Sequence, residues 1–463
     1  MRISAWFALA VVLPAPAFAQ RGAADRCEVV SESGKNQIKM PSGQYDTYWS
    51  QHVVAKCPAK KIVIKADSME QHGDEKRIYL IGHVYYEEPK YNVHSDFLTY
   101  FQGDERIVAI GNVDARMSNG SALKGPNATY LRPIEKTRPR AKLTATARPT
   151  ITIVDKDAAG KPTPPMTVIA TTVVMDGDSL VYGSGLVNIV REQFTATADS
   201  MFLDGPKETM HLLRNPVIRG EKDKARPFTL TGLFIDLFSK DRKLRRVVSR
   251  GKANAVSQDL TLVSDTIDLR VNDDVLERAM AWGPQRATAK SPAQSLLADS
   301  IDVLMPGQRV HEIRAVRKAY AEAKPDTVKF RADSGDMDWL RGNTVIAYFD
   351  TMPPKDTTQS PRVRQLLAIE SAAAYYHRPA SDSTCRKPVI IYSTGKRITA
   401  NFNEQGVSLV VVDSAVLGGT FEPSPGCGKP DSTKAKPNPP ASGGRPPLSA
   451  TPLATALRRR IRA

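Results

Sequence analysis

The sequence predicts an all-β, elongated and repetitive chain. Three observations carry this. Short apolar runs alternate with polar residues at period two, an Ala-Asp-Ser motif returns about every thirty residues, and amphipathic helical spacing is nearly missing.

The first element is an export signal. Arg2 gives a positive start, Ile3 to Leu13 run almost wholly apolar, and Ala17-Phe18-Ala19 fits the small-x-small cleavage rule. The expectation is cleavage before Gln20 and folding in the periplasm of a two-membrane bacterium. The apolar run is too short to span a bilayer comfortably. Four cysteines, Cys27, Cys57, Cys385 and Cys427, form no CxxC pair. In an oxidising compartment two disulfides are expected, Cys27–Cys57 and Cys385–Cys427. Neither His52 nor His377 completes a zinc spacing near them.

The repeat comes next. Ala66-Asp67-Ser68, Ser95-Asp96, Ala198-Asp199-Ser200, Ser264-Asp265, Ala298-Asp299-Ser300 and Ala332-Asp333-Ser334 are its clear copies. Pro126, Thr171 and Gly232 hold the Asp position in weaker ones. A fixed period over many copies marks stacked units that cannot bury their apolar faces alone. Fifteen residues after Asp67 stands Gly82, and fifteen after Asp96 stands Gly111; Gly185 and Gly251 repeat the pattern. Around them Leu80, Gly82, Val84 and Tyr86 share one strand face, as do Ile107, Ala109, Gly111 and Val113. A mid-strand glycine implies a bulge or a very close approach to the backbone. The Asp-Ser copies read as structural: a short polar side chain accepting backbone N–H bonds where the strand turns. His83 reads as a solvated strand residue.

Two segments look like copies of one hairpin: Arg148-Pro149-Thr150-Ile151 with Met166-Thr167-Val168, and Asn215-Pro216-Val217-Ile218 with Phe228-Thr229-Leu230. Gly283-Pro284 is a candidate start for a third. Ala319 to Ala323 and Glu370 to Tyr376 are the only short helix candidates. Asp155-Lys156-Asp157-Ala158-Ala159-Gly160 opens like a calcium loop but lacks the third oxygen ligand and closing Glu, so a hairpin turn is expected. There is no nucleophile elbow, P-loop or HExxH, and the expectation is a protein with no enzymatic activity and no cofactor.

The chain carries 65 basic against 49 acidic side chains. Eight of the basic residues, with one acid, lie after Pro423, in a Pro-rich tail read as disordered. Export argues against nucleic acid as the basic chain's partner; anionic lipid head groups are the alternative for the tail.

Ile62-Val63-Ile64-Lys65-Ala66-Asp67-Ser68-Met69, Ile78-Tyr79-Leu80-Ile81-Gly82-His83-Val84 and Arg106 to Val113 resemble the OstA-like domain. That domain occurs in the periplasmic lipopolysaccharide transport protein LptA and the N-terminal part of LptD. The likeness is clearest from Lys61 to about Leu203 and looser to about Phe349. Arg397 to Phe402 and Gly418 to Pro423 look like a last degenerate unit. The chain is much longer than single-domain members, and no long membrane barrel follows. The resemblance implies a β-jellyroll, two sheets around an apolar groove, in two fused domains. The expected division is signal peptide 1–19, lead segment 20–58, OstA-like domains 59–205 and 206–350, C-terminal β module 351–423 and basic tail 424–463. It further implies lipopolysaccharide or a similar glycolipid as ligand, and other OstA-like envelope components as partners through edge strands. The expected groove face is Ile62, Ile64, Leu80, Val84, Ile107 and Val113. The competing expectations are an envelope scaffold with a closed core, and a polysaccharide-active β-solenoid, whose paired carboxylates the units do not concentrate.

Overall fold

The computed structural model describes residues 27–423, except 157–159, 178, 221–226, 258–259, 274, 293, 326–335, 351–361, 382–386 and 404–405. The signal peptide, the Cys385–Cys427 pair and the basic tail therefore lie outside the described residues.

The chain is all-β, and every strand pair is antiparallel. In chain order come β1 (Glu28–Val30), β2 (Lys35–Lys39), β3 (Tyr45–Cys57), β4 (Ile62–His72), β5 (Arg77–Glu88), β6 (Tyr91–Phe101), β7 (Arg106–Met117) and β8 (Ala122–Leu131). The shorter strands β9 (Lys142–Thr146), β10 (Thr150–Ile153), β11 (Met166–Ile169) and β12 (Thr172–Asp176) follow, then β13 (Leu180–Val190) and β14 (Phe194–Asp204). A second short set holds β15 (Thr209–Leu213), β16 (Val217–Gly220), β17 (Phe228–Thr231) and β18 (Phe234–Lys240). Long strands resume as β19 (Lys243–Val256), β20 (Thr261–Asn272), β21 (Val275–Lys290), β22 (Gln294–Leu304), β23 (Glu312–Ala323), β24 (Asp338–Phe349), β25 (Val363–Arg378) and β26 (Val389–Asn403). The series ends in β27 (Gly406–Asp413) and β28 (Leu417–Phe421).

Each long strand is interrupted at its middle by a corner, so its two arms belong to different ladders. The short strands make this plain. β8 pairs through residues 122–124 with β10, which leads by β11 to the second arm of β13. The other arm of β8 pairs with β9, which leads by β12 to the first arm of β13. β14 divides in the same way between β16–β17 and β15–β18. The two expected hairpin copies are therefore real: each is the place where one ladder's strand is cut from the other's. We call the ladder containing β10, β11, β16, β17 and β28 the first, and that containing β9, β12, β15, β18 and β27 the second.

The corner geometry explains the sequence repeat. On the Asp strands, inward residues step by three across the corner: Ala66 to Met69, Ser95 to Leu98, Ala198 to Met201, Ala298 to Ile301. On the neighbouring strands they step by four: Leu80 to Val84, Ala109 to Val113, Ser249 to Ala253, Ala315 to Ala319. The extra residue is a β-bulge, seen as a register shift between Ile81 and Val84 and at equivalent sites. Gly82 and Gly111 take φ of +76° and +79° there, and a Cβ on either would lie 2.2 or 2.3 Å from the carboxylate of Asp67 or Asp96. The expected close approach is thus the Asp of the neighbouring strand. Asp67 accepts from His83 Nδ1 at 2.8 Å and Asp96 from Asn112 Nδ2 at 2.9 Å, so these carboxylates bond side chains on the bulge.

Three local expectations are corrected. Ala319 to Ala323 lies in β23, and Glu370 to Tyr376 in β25. Their inward alanines, spaced by four across a corner, imitate helical spacing. Gly283-Pro284 opens no new hairpin; it sits in an enlarged bulge within β21, where Trp282 to Ala287 face Ser300 to Ala298. Asp333 lies outside the described residues; β24, which follows it in the chain, turns its own corner at Gly342-Asn343.

Both expected domain boundaries are crossed by continuous pairing, from β14 to β15 and from β24 to β25. Segment 20–58, expected as a lead, contributes β1, β2 and β3 to the ladders. Cys27 and Cys57 are disulfide-bonded, tying the start of β1 to the end of β3. Arg397 to Phe402 lies in β26, and Gly418 to Phe421 in β28.

Candidate functional site

The inward faces of the two ladders meet in one apolar core, and that core is unevenly filled. In the middle of the chain, Leu212, Ile218, Leu230, Ile235, Ile267 and Leu269 are almost wholly buried. On either side of this middle the ladders enclose a chamber.

The N-terminal chamber measures about 420 Å³. Val93, Val113 and Ile153 of the first ladder face Ile107, Tyr130 and Leu143 of the second across it. The C-terminal chamber measures about 570 Å³, with Leu296 and Leu340 of the first ladder opposite Ile313, Leu366 and Ile398 of the second. Both volumes fall among ordinary ligand sites, about 300–1,000 Å³. The larger chamber has a simple cause in the sequence: Ala289, Ala321, Ala347, Ala374 and Ala400 all line it, and each methyl leaves space that a leucine would fill.

Of the expected groove residues, Ile107 and Val113 line the N-terminal chamber. Ile62, Leu80 and Val84 are buried in the packed core of the first units, and Ile64 packs against that core. Leu80 and Val84 do point inward, but from the two arms of one bent strand, hence from different ladders.

The hairpin turns form the free edges of the ladders, opposite the corners, and define a mouth. Two arginines bridge it. Arg132, after β8 on the second ladder, pairs at 2.7 Å with Glu88 on the first and at 3.3 Å with Glu105. It also donates to the Tyr86 hydroxyl and lies over the rings of Tyr86 and Tyr100. Tyr91 stacks on Tyr86 and meets Tyr130 edge-on. Burial opposes charge on Arg132, but Tyr86 and Glu88 outweigh it and hold the guanidinium above its usual range. Burial also pushes the Tyr91 hydroxyl up, so this cluster stays a neutral aromatic wall around one fixed cation.

Arg242 makes the second bridge. It leaves the β18–β19 turn of the second ladder and pairs at 3.3 Å with Asp155, which follows β10 on the first. Its guanidinium also donates to Gly205 O at 3.0 Å, and Glu208 lies 3.8 Å away. From the first ladder, Arg191 donates to the Arg242 carbonyl at 2.6 Å. Beyond Arg242 the space shrinks to about 60 Å³ against Met210, Leu237 and Leu244. Asp155, at the start of the segment expected to make a hairpin turn, thus serves a salt bridge. Among the described residues no group of three or more His, Cys, Asp or Glu is placed to hold a metal ion.

The sequence points to an apolar groove, but neither to its division into two chambers nor to the arginine bridges across it. Inward alanines were a visible signal for the first; nothing in the local sequence marks Arg132 or Arg242 among so many basic turn residues. No known protein family matches the chain, and no curated protein matches it.

Proposed function

We propose that the chain is a non-enzymatic carrier of an acylated envelope lipid, lipopolysaccharide or a related glycolipid, working in the periplasm toward outer-membrane assembly. On this reading the two ladders are the sheets of an OstA-like β-jellyroll, and acyl chains lie between them. The supporting observation is that the apolar inward faces do not close on themselves on either side of the packed middle; they leave chambers of about 420 and 570 Å³. Each CH₂ taken from water into such a space contributes about 0.8 kcal/mol, so chains bind strongly without directional chemistry. The edge strands β27 and β28, with Leu409, Val411, Leu417 and Phe421 exposed, suit partner pairing by strand addition.

Mass spectrometry of organic extracts from the envelope-purified protein tests this. Lipid A or another acylated lipid at stoichiometric level is expected. A folded protein that extracts clean, and takes up no acyl lipid when offered it, would remove the proposal. The filled middle favours a second reading, an envelope scaffold using the same ladders without cargo, and that outcome would select it.

A further inference from the structure

We infer that the N-terminal chamber is a discrete, side-entry site for an anionic acyl lipid, separate from the C-terminal chamber, so that one chain holds two lipids at once. This rests on the lipid-binding reading above and deepens it.

Three observations carry it. First, the chamber is bounded along the molecule on both sides. The Arg132–Glu88 pair crosses from ladder to ladder beside Tyr91 and Tyr130, which line the chamber. The Arg242–Asp155 pair crosses at its other end, and both residues line the chamber themselves. Second, the space beyond Arg242 is filled. Leu212, Ile218, Leu230 and Ile235 are 0–2% exposed, so no acyl chain passes toward β22–β27 without repacking the core. A lipid in the first chamber must enter and leave through the mouth between the clasps.

Third, two exposed cations stand at that mouth. Lys90 lines it and is exposed, and Arg140 reaches it, its Cδ 3.7 Å from where a Cβ on Gly177 would stand. Neither cation makes an ion pair among the described residues. Arg242 keeps only loose carboxylate contacts, at 3.3 and 3.8 Å, well short of a bidentate pair. A phosphate or carboxylate head group seated over the mouth would find cations there while its chains fill the apolar space below.

Native mass spectrometry of the full-length mature protein, delipidated in detergent and then offered dimyristoyl phosphatidic acid, tests the inference. Two lipids per chain are expected. Ala109→Trp should remove one and Ala347→Trp the other, each leaving its neighbour's affinity unchanged. Because either filler can harm folding, melting is followed by circular dichroism, and a surface variant is added. Lys90→Glu with Arg140→Glu should weaken one phosphatidic acid site at least about tenfold, leaving the second site and the binding of neutral dimyristoylglycerol unchanged. A single lipid per chain, or loss of all binding in either filler variant with the fold intact, would overturn two separate sites. So would an unchanged phosphatidic acid affinity in the double charge reversal. Binding of neither lipid by the folded wild type would instead defeat the lipid-carrier reading itself.

Discussion

Gly82 is tied to Asp67 by the absence of a side chain. At φ +76°, with the Asp67 carboxylate where a Cβ would stand, alanine meets two penalties: a left-handed backbone and a steric clash. Gly82→Ala should therefore cost about 1–3 kcal/mol in urea denaturation. Asp67→Ala relieves the clash and loses only an exposed bond to His83, so the double variant should cost clearly less than the sum of the singles. Strict additivity would mean that the two residues do not meet. This pairing could be read from the fifteen-residue offset between Asp67 and Gly82, repeated at Asp96 and Gly111. Other corners carry no such mark. Gln51-His52, Arg214-Asn215, Arg317-Lys318 and Glu370-Ser371 all take positive φ without glycine. There the ladder on both sides imposes the bend, and only His52 and Asn215 are of residue types that favour it.

At the level of elements, period-two alternation revealed strands but hid the corner inside each one. Ile107, Ala109, Gly111 and Val113 look like one continuous face because a bulge of one residue, opposite a step of three, preserves inward parity while the strand changes ladder. The same device disguised β23 and β25 as helix candidates. The start of the chain was also harder to read, since β1 and β2 are short and largely exposed, with no repeat motif. What holds β1 is pairing along three residues of β3 together with the Cys27–Cys57 bridge. Closing a loop across a separation of 30 residues contributes a typical 2–4 kcal/mol. Cys27→Ser with Cys57→Ser should accordingly expose β1 to hydrogen exchange while β5 to β8 remain protected. Equal loss of protection throughout the chain would show instead that the bridge supports the whole stack.

For the whole molecule, the decisive question is where the space between the ladders is empty. Sequence placed apolar residues inward in every unit and could not distinguish units, since a Leu-rich and an Ala-rich inner face alternate alike. Volume distinguishes them: the middle is filled by Leu212, Ile218, Leu230 and Ile235, and a chamber lies on either side of it. A leucine-sized diazirine amino acid can report this in cells with little disturbance to packing. Placed at Leu143 or Leu366, which line the two chambers, it should capture an acylated lipid. At Leu80 or Leu230, both buried against protein, it should crosslink only within the chain. Capture at Leu143 and Leu366 alone separates stationary cargo in two chambers from a lipid stream along the stack. A stream must pass every unit, so it would label Leu230 as strongly as Leu143, and the core between the chambers would then have to open during transport. No capture at any of the four positions, with the variants folded, would leave the chambers without cargo and make the scaffold reading the better account.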